Sequence, residues 1–330
     1  MQVSSKGTVV AIALAGMLSL SACGGTTTQD QSSAQSSAQS EPQTQLAGME
    51  GASTTASSGS QSINLEGVGN ARQLGGYVGA DGKVVKDGVL LRTASLGEAT
   101  KADIDRLKNT YNLAEIIDLR TDVEAEYDPE IKIDGVKNLN LLIIDEEAMS
   151  KSMESLSNKD LKKLGSGNLV KILEVIKGLG IVGDQMYVNF LSHDAGKQGY
   201  AQMFRELLEL PEGQSLLFHC TQGKDRTGCA AMLILAALGV DEQTILDDYM
   251  LTNEFNAELI EQERQEMLYY GVKESQLDDI MIARDQVFPE TMTNALEWLK
   301  AEYGSPMGYI TKELGVTEEE IAQLQSKFLV

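Results

Sequence analysis

The stretch "SLLFHCTQGKDRTGCAAMLILAALG", residues 215–239, decides the architecture. Its first five residues, apolar up to a terminal histidine, have the length and composition of a buried strand. Residues 228–239 are apolar on every side, the pattern of a helix enclosed by core. Between the two lie Cys220, Thr221, Gln222, Gly223, Lys224, Asp225, Arg226 and Thr227. A structural cysteine has no use for a lysine, an aspartate and an arginine crowded around it. A cysteine that works as an anion has a use for all three. The N–H groups of such a strand-to-helix loop can point inward, and the helix N-terminus adds positive potential. A phosphate fits there and so does a thiolate, because the same donors stabilise both. Gly223 permits the tight curvature a Cβ would obstruct. Arg226 can grip two phosphate oxygens where a lysine cannot, and Thr227 is placed to hydrogen-bond the sulfur.

Outward from this loop, strands alternate with helical patterns. Strands are expected within "GVLLRTASL" (88–96), over "LAEIIDLR" (113–120) and over "VKNLNLLII" (136–144), the last running up to Asp145. Helices are expected over 100–112 with Thr100 as N-cap, over 199–210, and over 241–253, 258–271, 295–304 and 317–329. Residues 146–182, rich in Lys, Glu, Met and Leu, read as short amphipathic helices, either a lid over the site or plain surface. The expected fold class is α/β: a central, mostly parallel sheet flanked by helices, with a helical C-terminal third.

"HCTQGKDRTG" (219–228) resembles the phosphate-binding loop of the cysteine-dependent phosphatases, the protein-tyrosine phosphatase superfamily. Its Gly-Lys-Asp-Arg-Thr variant is similar to a bacterial branch active on phosphotyrosine and phosphoinositides. "GVGNARQLGGY" (67–77), "LLRTASL" (90–96), "IIDLRTDVE" (116–124), "DDYMLTN" (247–253) and "YGSPMGYI" (303–310) carry the likeness across about residues 63–329. Gln73 departs from it, standing where that branch usually has Asp. The resemblance implies that Cys220 attacks phosphorus and forms a phosphocysteine. Arg226 and the backbone donors of residues 221–226 would hold the oxygens. A carboxylic acid would protonate the leaving group and then activate water. The candidate acids are Asp118, Asp225 and Asp145, in that order, although each residue type also suits a cap or a strand-end turn. Thr221, Gln222, Gly223, Lys224, Thr227 and Arg120 are the expected substrate-binding residues, Lys224 with a preference for polyanionic head groups. His219 is expected to fix the loop by hydrogen bonding, Arg72 to brace it, and Cys229 to pack in the core. No cofactor is expected, and no metal: His193 and His219 are too few for a metal cluster.

Composition bounds the rest. The net charge of −22 argues against a broad nucleic-acid-binding face, while leaving room for a local phosphate pocket. Three cysteines make no disulfide framework. Residues 1–22, with Lys6 as their single charge and the apolar run "TVVAIALAGMLSL" (8–20), read as an export signal. "LSAC" (20–23) resembles the lipobox of bacterial lipoproteins, which implies lipid attachment at Cys23 and anchoring to the cell membrane outside the cytoplasm. Residues 23–61, polar and poor in large apolar side chains, read as a flexible tether, which leaves 62–330 as the catalytic domain. The expected partners are a phosphorylated protein or a phosphoinositide, and the membrane. Two other readings stay open: an extracellular inositol-polyphosphate phosphatase and a non-catalytic phosphate-binding lipoprotein. Rhodanese-like sulfur transfer suits Arg226 and Thr227 less well.

Overall fold

The computed structural model describes residues 60–330. The signal segment, Cys23 and nearly all of the tether lie outside the described residues. Five strands form one sheet: β1 (Arg72–Gln73), β2 (Leu90–Thr93), β3 (Leu113–Asp118), β4 (Lys137–Asn140) and β5 (Ser215–His219). Their order is β1-β2-β5-β3-β4; β1 is antiparallel to β2 and the other pairings are parallel. This is the expected α/β class.

Strand β5 lies at the centre, and its alternation builds two cores. Leu216 and Phe218 face one cluster with Leu90 and Ile117; Leu217 faces the other with Leu91 and Ile116. Full burial of each such side chain contributes about 1.5–3 kcal/mol. The larger cluster takes in nearly the whole helix Asp225–Ala237, which is apolar around its circumference and buried around it too. Because β2, β3 and β5 run parallel, their carboxyl ends coincide: Thr93 and Asp118 both pair with His219. Loops leaving these ends share one edge of the sheet, the usual place for a ligand in such folds.

Three local differences from the sequence reading have physical causes. β4 stops at Asn140, short of the expected 144. Its partner β3 ends at Asp118, whose carbonyl takes the Leu141 N–H at 2.8 Å and the Asn140 side chain at 3.2 Å. The helix expected over 199–210 begins at Asp194. Gly196 and Gly199 let it run close against Phe190 and Ile143, where added Cβ atoms would clash. The core helix begins at Asp225, three residues ahead of its apolar run, so Arg226 and Thr227 belong to its first turn. Residues 146–182 do form three short helices, Glu146–Glu154, Asn158–Leu164 and Leu169–Gly178. Four further helices among the described residues, Asp122–Tyr127, Asp184–Ser192, Leu277–Met281 and Pro306–Lys312, lie where no helix is expected from the sequence. No helix among the described residues is long and apolar enough to cross a membrane.

Candidate active site

Cys220 follows β5 directly and is only 2 % exposed, at the floor of the loop. The loop is held open from outside. Gly223 has φ +67°, and a Cβ there would lie 2.3 Å from the Thr93 carbonyl oxygen, so glycine is required twice over. The Gly223 carbonyl accepts from Asn70 Nδ2 and from Arg92 Nη2, each at 2.9 Å, and Asn70 also reaches the Gln222 carbonyl at 3.2 Å. The Thr221 carbonyl accepts from the Ser95 N–H at 3.1 Å. With three successive carbonyls engaged by the scaffold, the N–H groups of residues 221–226 make no hydrogen bond among the described residues. They are free donors at a helix N-terminus, which is the chemistry of an anion cradle.

Under the loop lies a buried ion triad. Asp248 pairs with Arg92 at 2.6 Å and with Arg72 at 3.4 Å, and accepts from Tyr77 at 3.1 Å. Burial opposes its charge, yet Arg72 and Arg92 hold its carboxyl below the usual range. Arg72 hydrogen-bonds the Asn70 side chain, so it does brace the loop, through Asn70. Gln73, the departure from the family pattern, donates nothing to the site; its Oε1 takes the Gly88 N–H.

Arg226 lies in the first helical turn. Its Nη1 and Nη2 donate to the two oxygens of Glu124 at 2.6 and 2.7 Å. Glu124 also accepts from Thr221 Oγ1 at 2.9 Å and from Thr121 N–H at 2.9 Å. Burial works against that carboxylate, but Arg226 and these donors hold it well below the ordinary range, and Glu124 in turn raises Arg226. Glu124 was not among the expected site residues. "TDVE" (121–124) forms a capping box for the helix Asp122–Tyr127, and that local role gives no sign of a contact with a guanidinium 102 positions along the chain.

The candidate acids have different surroundings. Asp118 is held by Arg120, with contacts of 3.0, 3.1 and 2.9 Å from Nε and Nη2. Burial raises its carboxyl, but Arg120 and His219 outweigh that and leave it lowered. Asp145 caps the helix Glu146–Glu154 by accepting from the Ala148 N–H at 2.8 Å. Asp225 sits in the loop itself and accepts from Tyr187 Oη at 2.8 Å; Tyr187 in turn lies 3.0 Å from Tyr249 Oη. Burial, then Asp225, pushes the Tyr187 hydroxyl far above its usual range, so it is a fixed donor.

Three expected contacts turn out differently. Arg120 is fully buried among Asp118, Asp128 and Glu130, so its charge is already committed. Lys224, expected to face the substrate, turns its Nζ to the carbonyls of Ile282 and Gln286 at 2.9 and 3.4 Å. Thr227 Oγ1 is buried and makes no hydrogen bond, to the sulfur or to any other group among the described residues.

His219 Nδ1 lies 3.1 Å from the Cys220 carbonyl oxygen, and Nε2 lies 2.9 Å from Glu130 Oε2 and 4.0 Å from Asp118 Oδ1. Burial lowers the imidazole's basicity, but Glu130 and Asp118 more than reverse that, so it is raised. Nε2 is close to Glu130 but makes no well-aligned hydrogen bond, so the contact is chiefly an electrostatic one. Asp118, Glu130 and His219 also have the mutual spacing of a metal-ligand set. Arg120 already supplies countercharge to both carboxylates. Cys229 is a free thiol pushed far up by burial, in keeping with packing, and it forms no disulfide with Cys220.

A recessed sulfur, unpartnered amides and a locked guanidinium lie at one strand-to-helix junction, and comparison with known proteins gives the chain's family. The model of the tyrosine phosphatase family matches residues 63–330. The chain belongs to this family. A protein of Cupriavidus necator named "Putative tyrosine-protein phosphatase" is 29 % identical over 271 residues, covering 82 % of this chain and 89 % of that one. A tyrosine-protein phosphatase of Nostoc commune is 30 % identical over 243 residues, 71 % of this chain and 72 % of its own. The triple specificity protein phosphatase PtpB of Mycobacterium tuberculosis is 28 % identical over 137 residues, 38 % of this chain and 48 % of its own. The tyrosine phosphatase family thus accounts for every described element from Ile63 onward.

Proposed function

We propose that this tyrosine phosphatase family member hydrolyses aryl phosphate monoesters, phosphotyrosine first among them, through a phosphocysteine. The observation that carries the reading is the set of unpartnered N–H groups of residues 221–226 around Cys220, with Arg226 fixed beside them. The Cys220 thiolate attacks phosphorus in line. An S–P bond forms as the P–O ester bond breaks, and the leaving oxygen takes a proton from a carboxylic acid. The loop amides and Arg226 hold the three equatorial oxygens as their charge shifts. Water then attacks phosphorus, gives a proton to the same carboxylate, and releases phosphate and the thiolate.

Asp225 is our choice of acid. It lies where the loop meets the helix, with the Tyr187 hydroxyl donating to Oδ1 and Oδ2 3.7 Å from Lys224 Nζ. Asp118, chelated by Arg120, is a poor proton donor, so Asp225 moves ahead of it in the order suggested by sequence. The test is steady-state hydrolysis of an aryl phosphate with acid-quench trapping of labelled phosphoenzyme. Cys220→Ser abolishes both signals. Asp225→Asn slows turnover by roughly 10²–10⁴-fold while Asp118→Asn does so far less. Full activity in Cys220→Ser ends the reading.

Export and lipid attachment at Cys23 belong to the same proposal. They are supported by the apolar run 8–20 and the small residues before the cysteine. Cys23→Ser is expected to release the protein from the membrane fraction.

A further inference from the structure

Residues 282–288 form an irregular strap between the short helix Leu277–Met281 and the helix Pro289–Tyr303. Side chains from three other elements hold it. Asn253, on the helix Glu242–Phe255, makes a two-bond ring with Val287: Nδ2 donates to the Val287 carbonyl at 2.9 Å, and the Val287 N–H donates to Oδ1 at 2.8 Å. Glu263 accepts from Arg284 Nε at 2.7 Å and from the Asp285 N–H at 3.4 Å. Arg264 Nη1 donates to Gln286 Oε1 at 3.0 Å. The fourth tie comes from the phosphate loop itself, where Lys224 Nζ donates to the Ile282 and Gln286 carbonyls.

This last tie has a chemical consequence. Lys224 stands two residues from Arg226, where a free ammonium would be well placed for a second phosphate. It is instead 2 % exposed, with two of its three donors on strap carbonyls and the Asp225 carboxylate 3.7 Å away. A substrate with one phosphate needs only the loop amides and Arg226. A substrate with a neighbouring second phosphate gains Lys224 only by breaking its strap bonds and moving a desolvated ammonium.

We propose that the strap is a specificity device, in which Asn253 pins the Ile282–Val287 segment over Lys224 and so biases the site toward substrates carrying a single phosphate. The proposal rests on the phosphatase reading above and assigns its substrate class. Asn253 is a positioning residue here: it touches the strap, and the strap holds Lys224.

The test measures kcat/KM for an aryl monophosphate and for a soluble inositol head group with two vicinal phosphates. It uses the wild type, Asn253→Ala, and Asn253→Ala combined with Lys224→Met. The wild type prefers the monophosphate. Asn253→Ala raises the ratio of the doubly to the singly phosphorylated substrate by roughly tenfold, about 1.4 kcal/mol, through a lower KM for the former. Adding Lys224→Met cancels the gain. Should Asn253→Ala fail to fold, Arg264→Ala, at the partly exposed outer side of the strap, is expected to move the ratio the same way by about threefold. An unchanged ratio, a gain that survives Lys224→Met, or a wild type that already favours the bisphosphate each overturns the proposal with the phosphatase reading intact. A wild type that hydrolyses neither substrate overturns both.

Discussion

Replacing Glu124 with glutamine tests how the site holds its arginine. Every oxygen lone pair of this carboxylate faces a donor. Oε2 accepts from Arg226 Nη1 at 2.6 Å, the Thr121 N–H at 2.9 Å and Thr121 Oγ1 at 3.0 Å. Oε1 accepts from Arg226 Nη2 at 2.7 Å and Thr221 Oγ1 at 2.9 Å. In Glu124→Gln, whichever oxygen becomes NH₂ meets the guanidinium donor to donor. At least one charge-assisted hydrogen bond is lost, about 1.5–3 kcal/mol, and the buried guanidinium loses its countercharge, which puts the total stability loss at about 3–5 kcal/mol. The guanidinium has five N–H groups; Glu124 engages one on each Nη, and the second on each makes a long contact of 3.4 Å, Nη1 to the Leu119 carbonyl and Nη2 to Thr221 Oγ1, so the intact pair fixes the plane and offers phosphate Nε and the donors of those two long contacts. If that fixing supplies about 2 kcal/mol of transition-state stabilisation, kcat/KM for an aryl phosphate falls by roughly 30-fold. Inhibition by inorganic phosphate weakens in parallel. The assay is steady-state kinetics with phosphate as competitor, alongside urea unfolding. The opposite result, unchanged or higher kcat/KM with tighter phosphate binding, refutes the reasoning: it would mean that Glu124 competes with substrate for Arg226. Because Glu124 is held below its unfolded value, its stabilisation is present above the ordinary glutamate pKa of 4.5 and is lost as pH falls toward the lower folded value.

Two further outcomes follow from the same geometry. Gly223→Ala places a methyl 2.3 Å from the Thr93 carbonyl oxygen and strains a φ of +67°, so the loop must shift. Turnover of an aryl phosphate is expected to fall about 100-fold, by analogy with a small misplacement of catalytic groups, and wild-type rates in this variant would contradict the account of the loop. Burial, and then Glu263 beside it, push the Asp285 carboxyl up to about 7. An acid raised in the fold binds a proton that the unfolded chain has released. Its contribution is therefore fully present below about pH 4 and lost as pH rises through 7. The thermal midpoint is expected to drop between pH 5 and 8, and Asp285→Asn to flatten that slope; since raised His219 acts in the same direction, an identical slope in the variant assigns the whole effect to the histidine.

The contiguous parts of the site were legible. Strand β5, Cys220, Gly223, Arg226 and the helix that follows share one stretch of fewer than thirty residues, and each residue type in it has a local reason to be there. What the sequence concealed are contacts closed by the fold. Glu124 satisfies a capping box completely within four residues, so nothing local advertises its bond to Arg226. Lys224 looks like a free loop cation until the strap, 58 and 62 positions later, takes its donors. Asp118 looked like an acid at a strand end; Arg120, two residues on, folds back to chelate it. β1 is two residues long and has no periodicity to detect. Pairwise sequence spacing predicts proximity along an element, and the cases of Glu124, Lys224 and Asp118 concern which partner a charge finds in three dimensions.

The ion triad under the loop explains how a chain with a net charge of −22 can favour an anion at one point. Arg72, Arg92 and Asp248 are all buried, and they sum to one positive charge beneath Gly223. Burial and the neighbouring Arg92 bring Arg72 down to about 10, the sign of a cation left only partly compensated. Desolvating such a group is costly, and a single carboxylate cannot neutralise two guanidinium groups. Arg92 faces the loop through the Gly223 carbonyl, so the uncompensated charge favours an anion on that side. A thiolate or a bound phosphate is such an anion and acts at short range through a low-dielectric interior, whereas the acidic surface acts through water and salt and is screened within about 10 Å. The triad from β1, β2 and the helix Glu242–Phe255 therefore adds one buried positive charge to the loop amides, the helix N-terminus and Arg226, and these short-range groups outweigh the screened charge of the distant surface.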